Sequence, residues 1–89
     1  MKLERWVTFS KREQLLMIGF EIMRAVVWQH KDEEKFLGAL ERGMHLIKLC
    51  QLDEKWQNAK AMLAGLQEEF QKFSAKSRVD DISVLYRAL

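Results

Sequence analysis

The sequence predicts an all-α fold: an up-and-down bundle of three main helices plus a short C-terminal helix, dimeric rather than monomeric. Three observations carry this expectation. Proline is absent and only four glycines occur in 89 residues, which removes the turn punctuation on which sandwiches and barrels depend. Apolar residues recur at steps of three and four, the spacing that gathers them on one side of a helix. Ser10 with Glu13 has the spacing of a capping box, in which each side chain satisfies the other residue's orphan backbone N–H, and Ser77 with Asp80 resembles one.

The first main helix is expected to begin at Lys11, after the Ser10 cap, and to run to about Gln29. Its inward face reads Leu16, Gly19, Met23, Val26 and His30, flanked by Leu15, Ile22 and Val27, which leaves Gln14, Met17, Glu21, Arg24, Trp28 and Lys31 toward solvent. Asp32 offers the next cap, and Glu33 and Glu34 follow it in a first turn whose dipole favours negative charge. The second helix then runs from Glu33 to about Leu49 and buries Phe36, Leu37, Leu40, Met44 and Ile47. Phase alone would also allow one helix through both, since the apolar series continues unbroken. A break at Lys31 and Asp32 is expected because helices in globular proteins average about 11–12 residues.

The third helix has the strongest periodicity: Leu52, Trp56, Ala59, Leu63, Leu66, Phe70 and Phe73, a heptad seam. Continued backward, that seam meets Leu49, His45, Arg42 and Gly38, a poor apolar stripe, so a break between Cys50 and Asp53 is required, with Asp53 as the cap. Beyond Ser77, a short helix would present Val79, Ile82, Leu85, Tyr86 and Leu89 on its apolar side. Leu3 to Phe9 is ambiguous. Glycines inside helices each cost about 1 kcal/mol relative to alanine. Close helix approach is the expected compensation at Gly19 and Gly43, which lie on apolar faces, whereas Gly38 and Gly65 lie toward the polar side.

At 89 residues the chain has room for one domain, residues 1–89, and a domain this short buries only about 60 % of the surface its unfolded form exposes. Self-association is the expected supplement, because Cys50 is the only cysteine and no disulfide is available. A reducing, cytoplasmic setting is the simplest expectation. Met1 to Trp6 carries Lys2, Glu4 and Arg5 rather than an apolar signal segment, and the longest apolar window, Leu15 to Trp28, is interrupted by Glu21 and Arg24. No membrane span is expected.

That same window carries the functional expectation. A helix apolar nearly all round belongs in the middle of something, and one short chain offers few neighbours to cover it. A protein partner, first of all a second copy, is the natural completion, with Met17, Phe20, Val27 and Trp28 as the contact patch. The alternative is that Leu3, Trp6 and Val7 fold back over Met17 and Trp28 within the chain. The reading is therefore a non-enzymatic, self-associating interaction module.

Catalytic chemistry has little to stand on. No H-E-x-x-H, E-x-x-H or C-x-x-C spacing occurs, so no metal or other cofactor is expected. His45 sits one turn from Glu41, which suits a surface ion pair, and His30 sits at a helix C-terminus, where an imidazolium complements the dipole. Ser10, Ser74, Ser77 and Ser83 fall at caps or in the last helix without a nearby histidine, and Cys50 suits a small buried hydrophobe. The net charge of +2, with acids and bases interleaved, gives no field that demands a polyanion. A nucleic-acid-binding regulator, using Lys11, Arg12, Lys72, Lys76 and Arg78, is the second reading.

Arg24 and His30 are separated by five residues. That spacing fits the R-x4-6-H signature and resembles the HEPN ribonucleases, small helical bundles that dimerise. The resemblance implies RNA cleavage by Arg24 and His30 converging across a dimer cleft. Ala25 stands after Arg24, where that family usually has a polar residue.

Overall fold

In a computed structural model, which describes residues 1–74, every regular element is helical. The elements are α1 (Leu3–Trp6), α2 (Lys11–Trp28), α3 (Glu33–Leu52), a 3-10 segment (Glu54–Ala59) and α4 (Lys60–Ser74). The helix expected after Ser77 lies outside the described residues. α3 packs against both α2 and α4 and also touches α1, so it is the central element. No helix among the described residues is long and apolar enough to cross a membrane.

The helix boundaries follow from local chemistry. Ser10 accepts from the Glu13 backbone N–H at 3.1 Å while Glu13 accepts from the Ser10 N–H at 2.9 Å. These paired bonds close the capping box and hold the Glu13 carboxyl below its ordinary range. α2 and α3 are separate helices: the chain turns after Trp28, and Asp32, in an extended conformation, caps α3 by accepting from the Lys35 N–H at 3.1 Å. Asp53 is extended as well and accepts from the Lys55 N–H at 3.1 Å. The expected third helix therefore opens with the 3-10 segment before continuing as α4. Trp56, Leu63, Leu66, Phe70 and Phe73 of its seam are buried, but Leu52, the first of them, ends α3 and is 66 % exposed.

α2 is rotated relative to the sequence expectation. Gln14, Ile18, Glu21, Ile22, Ala25 and Gln29 face the core, whereas Leu16, Met23, Val26 and His30, expected inside, are exposed. Gly19 and Ile22 are the members of the expected inward set that are buried. The reason is that α2 is apolar on almost every side, so hydrophobicity alone sets no phase. Polar partners distant along the same chain set it instead: Gln14 bonds to α1 and the 3-10 segment, and Glu21 bonds to α3. In α3, Phe36, Leu40 and Ile47 are buried as expected, while Leu37 and Met44 are only half-buried and Ala39 and Gly43 complete the inner face.

The segment that was ambiguous in sequence holds α1, and its Trp6 is fully buried. Gly65, by contrast, faces open space: a Cβ there would meet nothing within 4 Å. Gly65→Ala is accordingly expected to stabilise the fold by up to about 1 kcal/mol, the helix-propensity difference, raising the thermal midpoint by a few degrees. A midpoint that falls would mean that α4 carries a neighbour at this position.

Candidate functional site

The rotation of α2 creates the most distinctive surface of the described residues. At about 100° per residue, Leu16, Phe20, Met23 and Val27 line up directly opposite the buried stripe of Ile18, Ile22 and Ala25. They are 50 %, 53 %, 48 % and 51 % exposed, with Val26 beside them. Of the residues expected to form a contact patch, Phe20 and Val27 stand on this outer ridge. Met17 and Trp28 are half-buried at its margin, packed against the core, and Trp28 lies under the Lys35 ammonium at 4.1 Å from its ring centre. Sequence reasoning missed Leu16, Met23 and Val26 as surface residues. The spacing of Gln14, Glu21 and Gln29 held the clue, because it matches the spacing of Ile18 and Ala25 on a single stripe.

A cleft of about 580 Å³ borders the ridge where α2 meets α3, lined by Met17, Phe20, Arg24, Arg42, His45 and Leu46 among others. Glu21 sits in its wall with its side chain 8 % exposed. Both guanidiniums converge on it: Arg42 Nε donates to one carboxylate oxygen at 2.8 Å and Arg24 donates to the other. The buried carboxylate is thus paired and hydrogen-bonded, which is what a charge in that position needs. His45 does not pair with Glu41; its Nε2 lies 2.9 Å from the Met1 carbonyl oxygen.

Arg24 is therefore held by Glu21, and His30 stands in the turn after α2, outside the cleft that Arg24 lines. Within one chain the two residues of the R-x4-6-H spacing do not share a pocket. Nor are Phe70 and Phe73 available for stacking on bases, since both are buried in the α4 seam. Among the described residues no three His, Cys, Asp or Glu side chains are grouped to hold a metal ion.

A polar cluster at the N-terminal end of the buried stripe of α2 fixes its rotation. Gln14, fully buried, donates from Nε2 toward the Trp6 carbonyl at 2.8 Å, the Phe9 carbonyl at 3.2 Å and an Asp53 carboxylate oxygen at 3.0 Å. Its Oε1 accepts from the Trp56 indole N–H and, weakly, from the Cys50 thiol. Burial pushes that thiol up to about 11, against a smaller downward pull from the Trp6 side chain. At neutral pH Cys50 is protonated and a poor nucleophile.

Burial also works to raise the Asp53 carboxyl, but hydrogen bonds from the Lys55 side chain, Gln14 and the Lys55 backbone outweigh it and hold the group below its ordinary value. A carboxyl depressed on folding stabilises the native state above its unfolded pKa, near 4, and loses that contribution as pH falls through the lower folded value. Urea midpoints are expected to drop as the pH falls below about 4, and Asp53→Asn should flatten that drop while lowering stability at pH 7. An unchanged acid profile in the variant would remove Asp53 as its source.

No family model, curated protein or solved structure matches the chain.

Proposed function

We propose that this protein is a non-enzymatic, self-associating helical module: an up-and-down bundle that works as a homodimer and offers helical surfaces to protein partners in a reducing, cytoplasmic setting. One observation carries the reading. Leu16, Phe20, Met23, Val26 and Val27 together expose on the order of 400 Å², within the roughly 300–600 Å² of the largest apolar patch on a typical monomer, where such patches are often functional. This patch is a continuous ridge on a regular helix, not a scatter of single residues. Two such ridges, with their charged flanks, would bury about 1,000 Å², the low end for a specific interface, so the association is weak and reversible, in the micromolar range.

Phe20 stands near the middle of the ridge and is half exposed. In sedimentation velocity between about 10 and 500 μM, a range that brackets micromolar association, the wild type is expected to shift from monomer toward dimer. Phe20→Glu should stay monomeric with an unchanged helical spectrum. A wild type that is monomeric throughout that range would overturn the reading.

A further inference from the structure

The identity of the partner on α2 and its direction can be taken further, resting on the self-association reading above. The ridge is palindromic in spacing: Leu16, Phe20, Met23 and Val27 advance by four, three and four residues. It presents the same sequence of knobs read in either direction, with its midpoint between Glu21 and Ile22. Its flanks are not the same at the two ends. Glu13, in the first turn of α2, lies beyond Leu16, and Lys31, in the turn that follows α2, lies beyond Val27. Arg12 stands next to Glu13 and His30 next to Lys31 in sequence. All four are exposed.

We infer that the occupant of the α2 ridge is the ridge of a second copy, laid antiparallel about a twofold axis that passes near Glu21 and Ile22. In that arrangement Leu16 meets Val27 of the second copy and Phe20 meets its Met23, so each bulky side chain faces a smaller or more pliable one. Glu13 lies across from Lys31 of the second copy, and the twofold makes this contact twice. Arg12 of one copy comes to the same end of the interface as His30 of the other. Arg24, close to the axis, is paired with the buried Glu21, which also takes Arg42, so this group carries one net positive charge.

A parallel pair answers these features poorly. It would stack each residue on itself and bring the His30 and Lys31 of both copies together at one end. It would also align the two helix dipoles, which the antiparallel arrangement opposes.

Single cysteines on a Cys50→Ala background read the direction. Antiparallel pairing places Leu16 beside Val27 of the second copy but separates the two Leu16 positions by about 16 Å along the helix, beyond the roughly 7 Å limit for a disulfide. Mild oxidation of Leu16→Cys mixed with Val27→Cys is expected to give a covalent heterodimer, while either variant alone stays monomeric on a non-reducing gel. Efficient cross-linking of Leu16→Cys with itself would overturn the antiparallel direction while leaving self-association intact. Sedimentation as a dimer with no cross-link in any combination would show that another face pairs the copies. A protein that is monomeric by sedimentation, with the thiol of Phe20→Cys protected from alkylation, would defeat both readings.

Because Cys50 is buried and its replacement can disturb folding, a second measurement keeps the native thiol. Lys31→Glu should raise the dimer dissociation constant about fivefold at low salt, and less at 0.5 M NaCl, as expected for exposed charge pairs made twice. No change at low salt would overturn the Glu13 to Lys31 contact. Lys31 lies past the end of α2, and Asp32 rather than Lys31 caps α3, so neither helix loses a cap in this variant.

Discussion

Gln14→Ala is expected to destabilise the fold by about 3–5 kcal/mol, because it orphans several buried groups at once and each unsatisfied donor or acceptor costs about 1–3 kcal/mol. Gln14 joins four places in the chain: the carbonyls of Trp6 and Phe9, the Asp53 carboxylate, and the Trp56 indole. Alanine leaves the Trp56 N–H without its acceptor, in a region where the Trp6 indole N–H already lacks a hydrogen bond. It also opens a cavity. For a domain of this size the thermal midpoint should fall by about 15 °C or more.

Gln14→Glu is the sharper companion. It keeps an acceptor for Trp56 but cannot donate to the two carbonyls, and it sets a second carboxylate against Asp53. Its stability is expected to recover partly as the pH is lowered toward 5, where the new carboxyl can protonate and donate, in contrast to the wild type. A Gln14→Ala protein within 1 kcal/mol of wild type, by urea denaturation followed through circular dichroism, would show that the cluster does not hold α1 and the 3-10 segment to α2.

Gly43→Ala should destabilise by about 1–3 kcal/mol even though alanine is the better helix former, because overpacking a close-packed site outweighs a propensity gain of about 1 kcal/mol. A Cβ at this position would sit 2.6 Å from Cε1 of the Phe70 ring, and Phe70 is fully buried. The ring is held on all sides and has no exposed end to swing away, so α4 must shift from α3. Shortening the opposing side chain should relieve this. In a double-mutant cycle with Phe70→Leu, the alanine is expected to lose most of its penalty, giving a coupling of about 1 kcal/mol or more between residues in contact. Additive effects would mean that α3 and α4 accommodate the methyl without moving. The Gly65→Ala substitution, on the open side of α4, serves as the comparison in which only propensity acts.

The helical class, the caps at Ser10, Asp32 and Asp53, and the α4 seam were legible in the residues because each rests on interactions within a few positions along the chain. A capping hydroxyl or carboxylate meets an N–H only two or three residues away, and the seam from Trp56 to Phe73 is amphipathic enough to declare its inner side. Gly43 was legible for the same reason: its place on an apolar face already marked a close approach. The ambiguous stretch before Ser10 was a different matter. Trp6 is buried by contacts and Gln14 bonds that no local pattern announces.

α2 shows where such reasoning stops. Hydrophobicity assigned Leu16, Met23 and Val26 to the core and Gln14 and Glu21 to water, and the fold reverses both. A periodic stripe reports an inner face only when the opposite face is polar; on a helix greasy on every side, rotation is decided by whichever long-range polar contacts can be satisfied. Gln14 reaches Asp53 and Trp56 across about forty positions of chain, and Glu21 reaches Arg42 across 21. By itself the sequence determined that this chain is helical, where its three main helical segments are capped, and that one of them carries excess apolar surface. Only the tertiary structure decided which side of that helix is left bare, because a buried glutamine or glutamate is tolerated solely where distant partners meet it, and their meeting is a property of the fold.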